Sequence, residues 1–232
     1  MFWLKGIWTM QKGLVFLAVG LIASAASADI ILFDFESEPV DGNSNGNLTE
    51  LTVLDAASGL SVEISRSSGV GFDVLNGPAV PDSDNSYPAS FGDQALSPFA
   101  NFAESDFFVA NFSSNVISVS IDAGDFAEDP DTITLQAFSG LNGTGTIVDT
   151  DVTSFTGNLT LSGNGDPNND PVTNSVSGEG IQSITFVGFG GSDNPNSVFF
   201  DNLRVSTAPI PEPGSATLLL LSASSLIVRR KR

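Results

Sequence analysis

Carboxylates are almost the only abundant side chains in this chain that can hold a cation or move a proton: 27 Asp and Glu stand against 8 Lys and Arg, with no His and no Cys. That composition excludes a Ser-His-Asp triad, a thiol nucleophile and the usual zinc sites. Between residues 29 and 209 the only basic side chains are Arg66 and Arg204, so no lysine is available there as a Schiff base or as an activator of serine. What remains is oxygen chemistry. Hard cations take six to eight oxygen ligands, and acids gathered in a turn can supply them. Asp122, Asp125, Glu128, Asp129 and Asp131 fall within ten residues, and Asn164 to Asp170 alternates amides and acids. Neither has the twelfth-position Glu of an EF-hand, and both also suit solvated turns, because Asp and Asn hydrogen-bond locally to the backbone. A glycan hydrolase needs only two carboxylates at the right separation, but no pair among so many is singled out by its neighbours.

These acids have to be positioned by strands. At 232 residues the chain has room for one substantial domain. Short apolar-polar alternations recur between clusters of Gly, Asn, Asp and Pro: 30–35, 48–54, 60–64, 107–112, 116–121, 132–138, 146–152, 159–161, 181–189 and 198–205. No helical period of useful length interrupts them. The pattern predicts an all-β fold, an antiparallel β-sandwich of jelly-roll type, with barrel closure as the alternative. All but two of the 18 Phe follow residue 28 and fall mostly in the strand candidates, as core residues would. The first and last strands are expected to be neighbours. The stretch 77–104, broken by Pro78, Pro81, Pro88 and Pro98, is expected to be a long loop. It carries Tyr87, the only tyrosine and a candidate ligand contact. The surplus of acid makes nucleic acid and anionic membrane surfaces poor partners and cations good ones.

The two ends are addresses. Lys5 and Lys12, the apolar run 13–23 and Ala26-Ser27-Ala28 form a secretory signal peptide over 1–28, whether translation starts at Met1 or Met10. The apolar run is too short to span a bilayer, so cleavage before Asp29 is expected. At the other end Pro211-Glu212-Pro213 precedes an apolar stretch, 214–228, and a basic cluster, Arg229, Arg230, Lys231 and Arg232, of the kind that halts translocation. This order resembles the PEP-CTERM sorting signal of Gram-negative bacteria. The resemblance implies a sorting signal over 207–232 with a transmembrane helix over 214–228, transient residence in the inner membrane, recognition by an exosortase, and delivery to the cell surface or extracellular polymer.

The intervening 29–206 resembles, in pattern, the ectodomains that accompany this signal, which look like carbohydrate-binding jelly rolls. Its sharpest match is the terminal Phe200-Asp201-Asn202-Leu203-Arg204-Val205. In such jelly rolls a structural calcium often ties the first strand to the last, and the matching positions are Glu36 and Asp201. Asp201 is also an acid among apolar neighbours that needs a partner, and Arg204 is the alternative to a metal. The expectation is an exported, exosortase-sorted surface or matrix protein with a non-catalytic structural or adhesive sandwich. A calcium-dependent carbohydrate-binding module and a carboxylate-based glycan hydrolase are the alternatives. The implied partners are signal peptidase, the exosortase and extracellular polysaccharide.

Overall fold

The computed structural model describes residues 28–38, 48–76, 91–98, 106–125, 130–156, 171–190 and 198–207, all within one compact unit spanning 28–209. The leader, the sorting motif with its basic tail, Tyr87, Asp129, the 164–170 cluster and the expected strand 159–161 lie outside the described residues. No helix among the described residues is long and apolar enough to cross a membrane.

The described residues form ten strands, and every pairing among them is antiparallel: β1 Ile30–Phe33, β2 Glu50–Leu54, β3 Ser61–Arg66, β4 Asp73–Asn76, β5 Gln94–Ser97, β6 Phe108–Gly124, β7 Pro130–Phe138, β8 Ile147–Thr156, β9 Val172–Gly190 and β10 Phe199–Thr207. Alternation sets the faces. In β3, Val62 and Ile64 are fully buried while Glu63 between them is exposed, as a strand with one wet side requires.

β6 and β9 are long enough to serve both halves of the sandwich. The first part of β6 pairs with β3 and with the end of β9, Phe108 opposite Phe186; its second part pairs with β10 and with the start of β9, Ser118 opposite Ser177. Register shifts between Asn111 and Ser118 mark the crossing on β6. On β9 the crossing coincides with Gly178 and Gly180, whose φ values of 156° and 74° are ones that L side chains rarely adopt. Strands that change sheets do so at such irregularities. One half is therefore β2-β3-β6-β9-β7-β8, and the other is β9-β6-β10 with β5 and β1 sharing the far edge of β10 and β4 beyond β5.

Between the halves lies an aromatic core. Phe108 stacks on Phe186 at 5.1 Å, and Phe200 meets both edge-on at 5.9 and 4.9 Å. Such pairs add about 0.5–1.5 kcal/mol each beyond their burial. Phe189, 41% exposed, is an exception to the mostly core role expected of the Phe residues. Arg66 is sealed into this interior, paired with Asp106 at 2.7 Å and lying 4.9 Å above the Phe108 ring.

The first and last strands do pair, Ile30 opposite Ser206 through Phe33 opposite Leu203. Three expectations change. The strands expected at 107–112 and 116–121 are one, β6. β9 starts at Val172 rather than Ile181. The stretch 77–104 is not wholly loop, because β5 within it is buried along its length and pairs with β4 and β10.

Candidate functional site

The outer face of the β10 half gathers most of the chemistry left to this chain. Three rows of side chains cross it. Register places Ile30, Ser206, Ser118 and Ser177 in one row and Leu32, Arg204, Ser120 and Ser175 in the next; Asp201, Asp122 and Thr173 form the third. The residues between the rows, Val119, Val176 and Val205, point into the core and are at most 1% exposed.

The third row is the acidic end. Asp122 is gripped by Arg204 through two hydrogen bonds of 2.8 Å, Nη1 to Oδ1 and Nη2 to Oδ2, and accepts a third from Thr173 Oγ1 at 2.6 Å. The forked geometry suits a guanidinium, and it raises the Arg204 pKa through that hydrogen bond and the neighbouring negative charge. A bulge sets this up: between Asp201 and Arg204 the register with β6 shifts, and Asn202 takes a φ of 50°. The shift puts Arg204 opposite Ser120 with its head at Asp122.

Asp201 is left beside that pair. It is 1% exposed, and its Oδ1 has no hydrogen-bond partner. Burial, with Glu36, Asp34 and Asp122 adding their negative charge, pushes its pKa up to about 9, against the pull of the Asn202 amide. Glu36 reaches in from the turn after β1, where its Oε1 accepts the amides of Asp93 and Gln94 at 2.7 and 3.1 Å. Gly92, at φ 69°, lies so close that a Cβ there would overlap Glu36 Oε1. Glu36 thus staples the end of β1 to the start of β5, and Asp201 sits within reach of its charge.

A structural cation fits this corner in its chemistry. Asp201 offers a buried carboxylate oxygen with no partner and Glu36 a second carboxylate, while a hard cation draws its remaining ligands from backbone carbonyls and water. Among the described residues no group of three or more acids is arranged around one point, so protein carboxylates alone would not complete the shell. The stretch expected to form an acidic loop is divided instead: Asp122 belongs to β6 and Asp131 to β7. Both Asp122 oxygens are engaged, and Asp125 and Asp131 are buried in contacts of their own. Arg204 serves Asp122 and not Asp201 as its hydrogen-bonded partner.

The first two rows enclose a groove of about 210 Å³ lined by Ile30, Ser118, Ser120, Ser175, Ser177, Arg204 and Ser206, with Val119, Val176 and Val205 beneath. None of the five serine hydroxyls has a hydrogen-bond partner among the described residues. Beyond the groove on the β9 side, Asp149 and Asp151 of β8 accept the Ser177 and Ser175 amides at 2.8 Å. On the β1 side it opens past Ile30 and Leu32, 72% and 50% exposed. The groove was readable in part: Ser118-Val119-Ser120, Ser175-Val176-Ser177 and Arg204-Val205-Ser206 repeat one core valine between two outward polar residues.

No family model and no curated protein matches the chain. Among solved structures, it is similar to the K2 cleaved adhesin domain of Lys-gingipain, with 15% identity over 76% of this chain and 99% of that one and a TM-score of 0.45. The K3 adhesin domain of Lys-gingipain from Porphyromonas gingivalis W83 follows at 12% identity, with 76% and 98% covered and a TM-score of 0.39. The module CtCBM11 gives 14% identity, 81% and 99% coverage and a TM-score of 0.28. At these scores the likenesses carry no functional argument.

Proposed function

We propose that this is an exported surface or extracellular-matrix protein whose non-catalytic sandwich, of jelly-roll type, acts as a structural or adhesive module. A signal peptidase would remove 1–28, and an exosortase would process the 207–232 signal at Pro211-Glu212-Pro213. The observation that supports the reading best is the pairing of Ile30 with Ser206. The first and last described strands of the domain thus lie side by side, as suits a domain carried by a single attachment at one end. The absence of His and Cys from the sequence, and the use of Arg66 and Arg204 in ion pairs, fit a module without an imidazole base or a thiol nucleophile.

The sorting half is tested by changing Pro211, Glu212 and Pro213 to Ala in the full chain. Unprocessed precursor should accumulate in the membrane fraction, and normal processing and release would sink the reading. Co-fractionation of the processed protein with extracellular polymer tests the adhesive half. A second reading, a calcium-dependent carbohydrate-binding module, is favoured by the partnerless Asp201 Oδ1 beside Glu36. Calcium there would hold the β1 turn against β10 and contribute structure, not chemistry. It predicts that a chelator lowers the melting temperature of the wild type and leaves that of Asp201→Asn unchanged.

A further inference from the structure

The serine rows are an unusual use of a sheet face. Five hydroxyls stand in register on three adjacent strands, about 4.8 Å apart across strands and about 6.8 Å apart along them. Among the described residues none of the five has a side-chain hydrogen bond, and all line one groove. A serine hydroxyl both donates and accepts. Such a grid therefore matches a ligand whose own groups both donate and accept at intervals on the scale of one sugar ring. Among the described residues the groove contains no free positive charge: Arg204 is committed to Asp122, and the carboxylates of Asp149 and Asp151 lie just beyond its β9 side, bonded to the Ser177 and Ser175 amides. An anionic polymer would meet repulsion there, and so would a second copy of this acid-rich chain. Ile30 at the open side offers an apolar surface against which the C–H face of a sugar ring can lie.

From this register and charge we infer that the groove formed by Ser118, Ser120, Ser175, Ser177, Ser206 and Ile30 binds a neutral, extended polysaccharide. The inference rests on the adhesive reading above and names its ligand class and site. It is separate from the Asp201–Glu36 corner, which lies beyond the Arg204–Asp122 pair.

The test uses the 28–209 unit, which contains all ten strands and the whole described core. Affinity electrophoresis and calorimetry would compare a neutral β-1,4-glucan and a neutral galactomannan with the polyuronate alginate. The variant is Ser118→Ala/Ser120→Ala/Ser175→Ala/Ser177→Ala, which removes hydroxyls that make no hydrogen bond among the described residues and should unfold at the same urea concentration. The expected result is saturable binding of at least one neutral polymer, no binding of alginate, and a loss of about tenfold or more in the quadruple variant. Thr52→Ala, an exposed hydroxyl on β2, should bind as the wild type does. Ile30→Ser, which removes only the apolar wall, should weaken binding severalfold and guards against a quadruple variant that fails to fold. The inference is overturned by unchanged affinity in both variants, by preference for alginate, by self-association that occupies the face, or by no binding to either neutral polymer. Of these, a failure to bind while the full chain still co-fractionates with extracellular polymer removes the groove and leaves the adhesive reading intact. Failure to co-fractionate removes that reading itself.

Discussion

Asp201→Asn isolates one buried charge. In the folded protein the Asp201 carboxyl titrates near 9, against 3.8 as the ordinary value. Between roughly pH 4 and pH 9 the folded state therefore holds a proton that the unfolded chain has released. Stability follows the difference in bound protons, unfolded minus folded, which is negative here, so stability must fall as pH rises through that window. The slope is at most about 1.4 kcal/mol per pH unit, or at most about 4 kcal/mol between pH 5 and pH 8. Asn is neutral at every pH and nearly the same shape, so the variant should lose this slope. Urea unfolding at pH 5, 6, 7 and 8 with a chelator present measures it. The wild-type midpoint should move down with pH much more steeply than the Asp201→Asn midpoint, with equal m values. Asp106 and Asp55 do not interfere. Each has a lowered pKa: burial of Asp106 acts to raise it but is outweighed by hydrogen bonds from Ser67 and Ser68 and by Arg66, and Asp55 is lowered by its hydrogen bonds to Ser58. Their contributions are complete above about pH 4 and are lost only as pH falls through the folded values. Glu38, raised by partial burial, adds the same small decline to both proteins. Parallel wild-type and variant curves would refute the claim that Asp201 is buried uncompensated.

Two further substitutions probe how the site is held. Arg66→Met should cost about 3–5 kcal/mol by chemical denaturation, because it strands a buried Asp106 carboxylate. Adding Asp106→Asn should restore much of the loss, and a double variant no better than the single one would contradict an electrostatic origin. Gly92→Ala places a methyl where Glu36 Oε1 sits, at a φ of 69° that alanine tolerates poorly. It should cost about 1–3 kcal/mol and speed amide exchange at Asp93 and Gln94, whereas unchanged exchange there would mean that Glu36 does not tie β1 to β5.

How far the sequence reaches can be judged from these same residues. Strands such as β3 and β7 were legible because a buried apolar residue alternates with a half-buried or exposed polar one. β5 was not, since Gln94, Ala95, Leu96 and Ser97 are all buried and offer no period to read. The opening of β9 was hidden for the opposite reason: Asn174 is buried and polar, and Gly178 and Gly180 read as breakers although they mark the crossing between sheets. Among site residues, the need of Asp201 for a partner could be anticipated from its apolar neighbours. The choice of Arg204 could not, because it depends on a bulge at Asn202 that shifts the register by one residue. The serine grid required knowing which strands lie side by side. Three matching tripeptides, far apart in the chain, meet only through long-range pairing.

The pairing of Ile30 with Ser206 also decides how the domain would carry a load. A pull on the tail enters at Thr207 and runs along β10, which is flanked by β6 on one side and by β1 and β5 on the other. Those ladders lie nearly at right angles to such a pull, so their hydrogen bonds resist together in shear and do not yield one after another. A pull applied between the two chain ends would instead open β1 from β10 like a zipper. Under the proposed cleavage of 1–28 the second handle would be lost, and with it the weak direction.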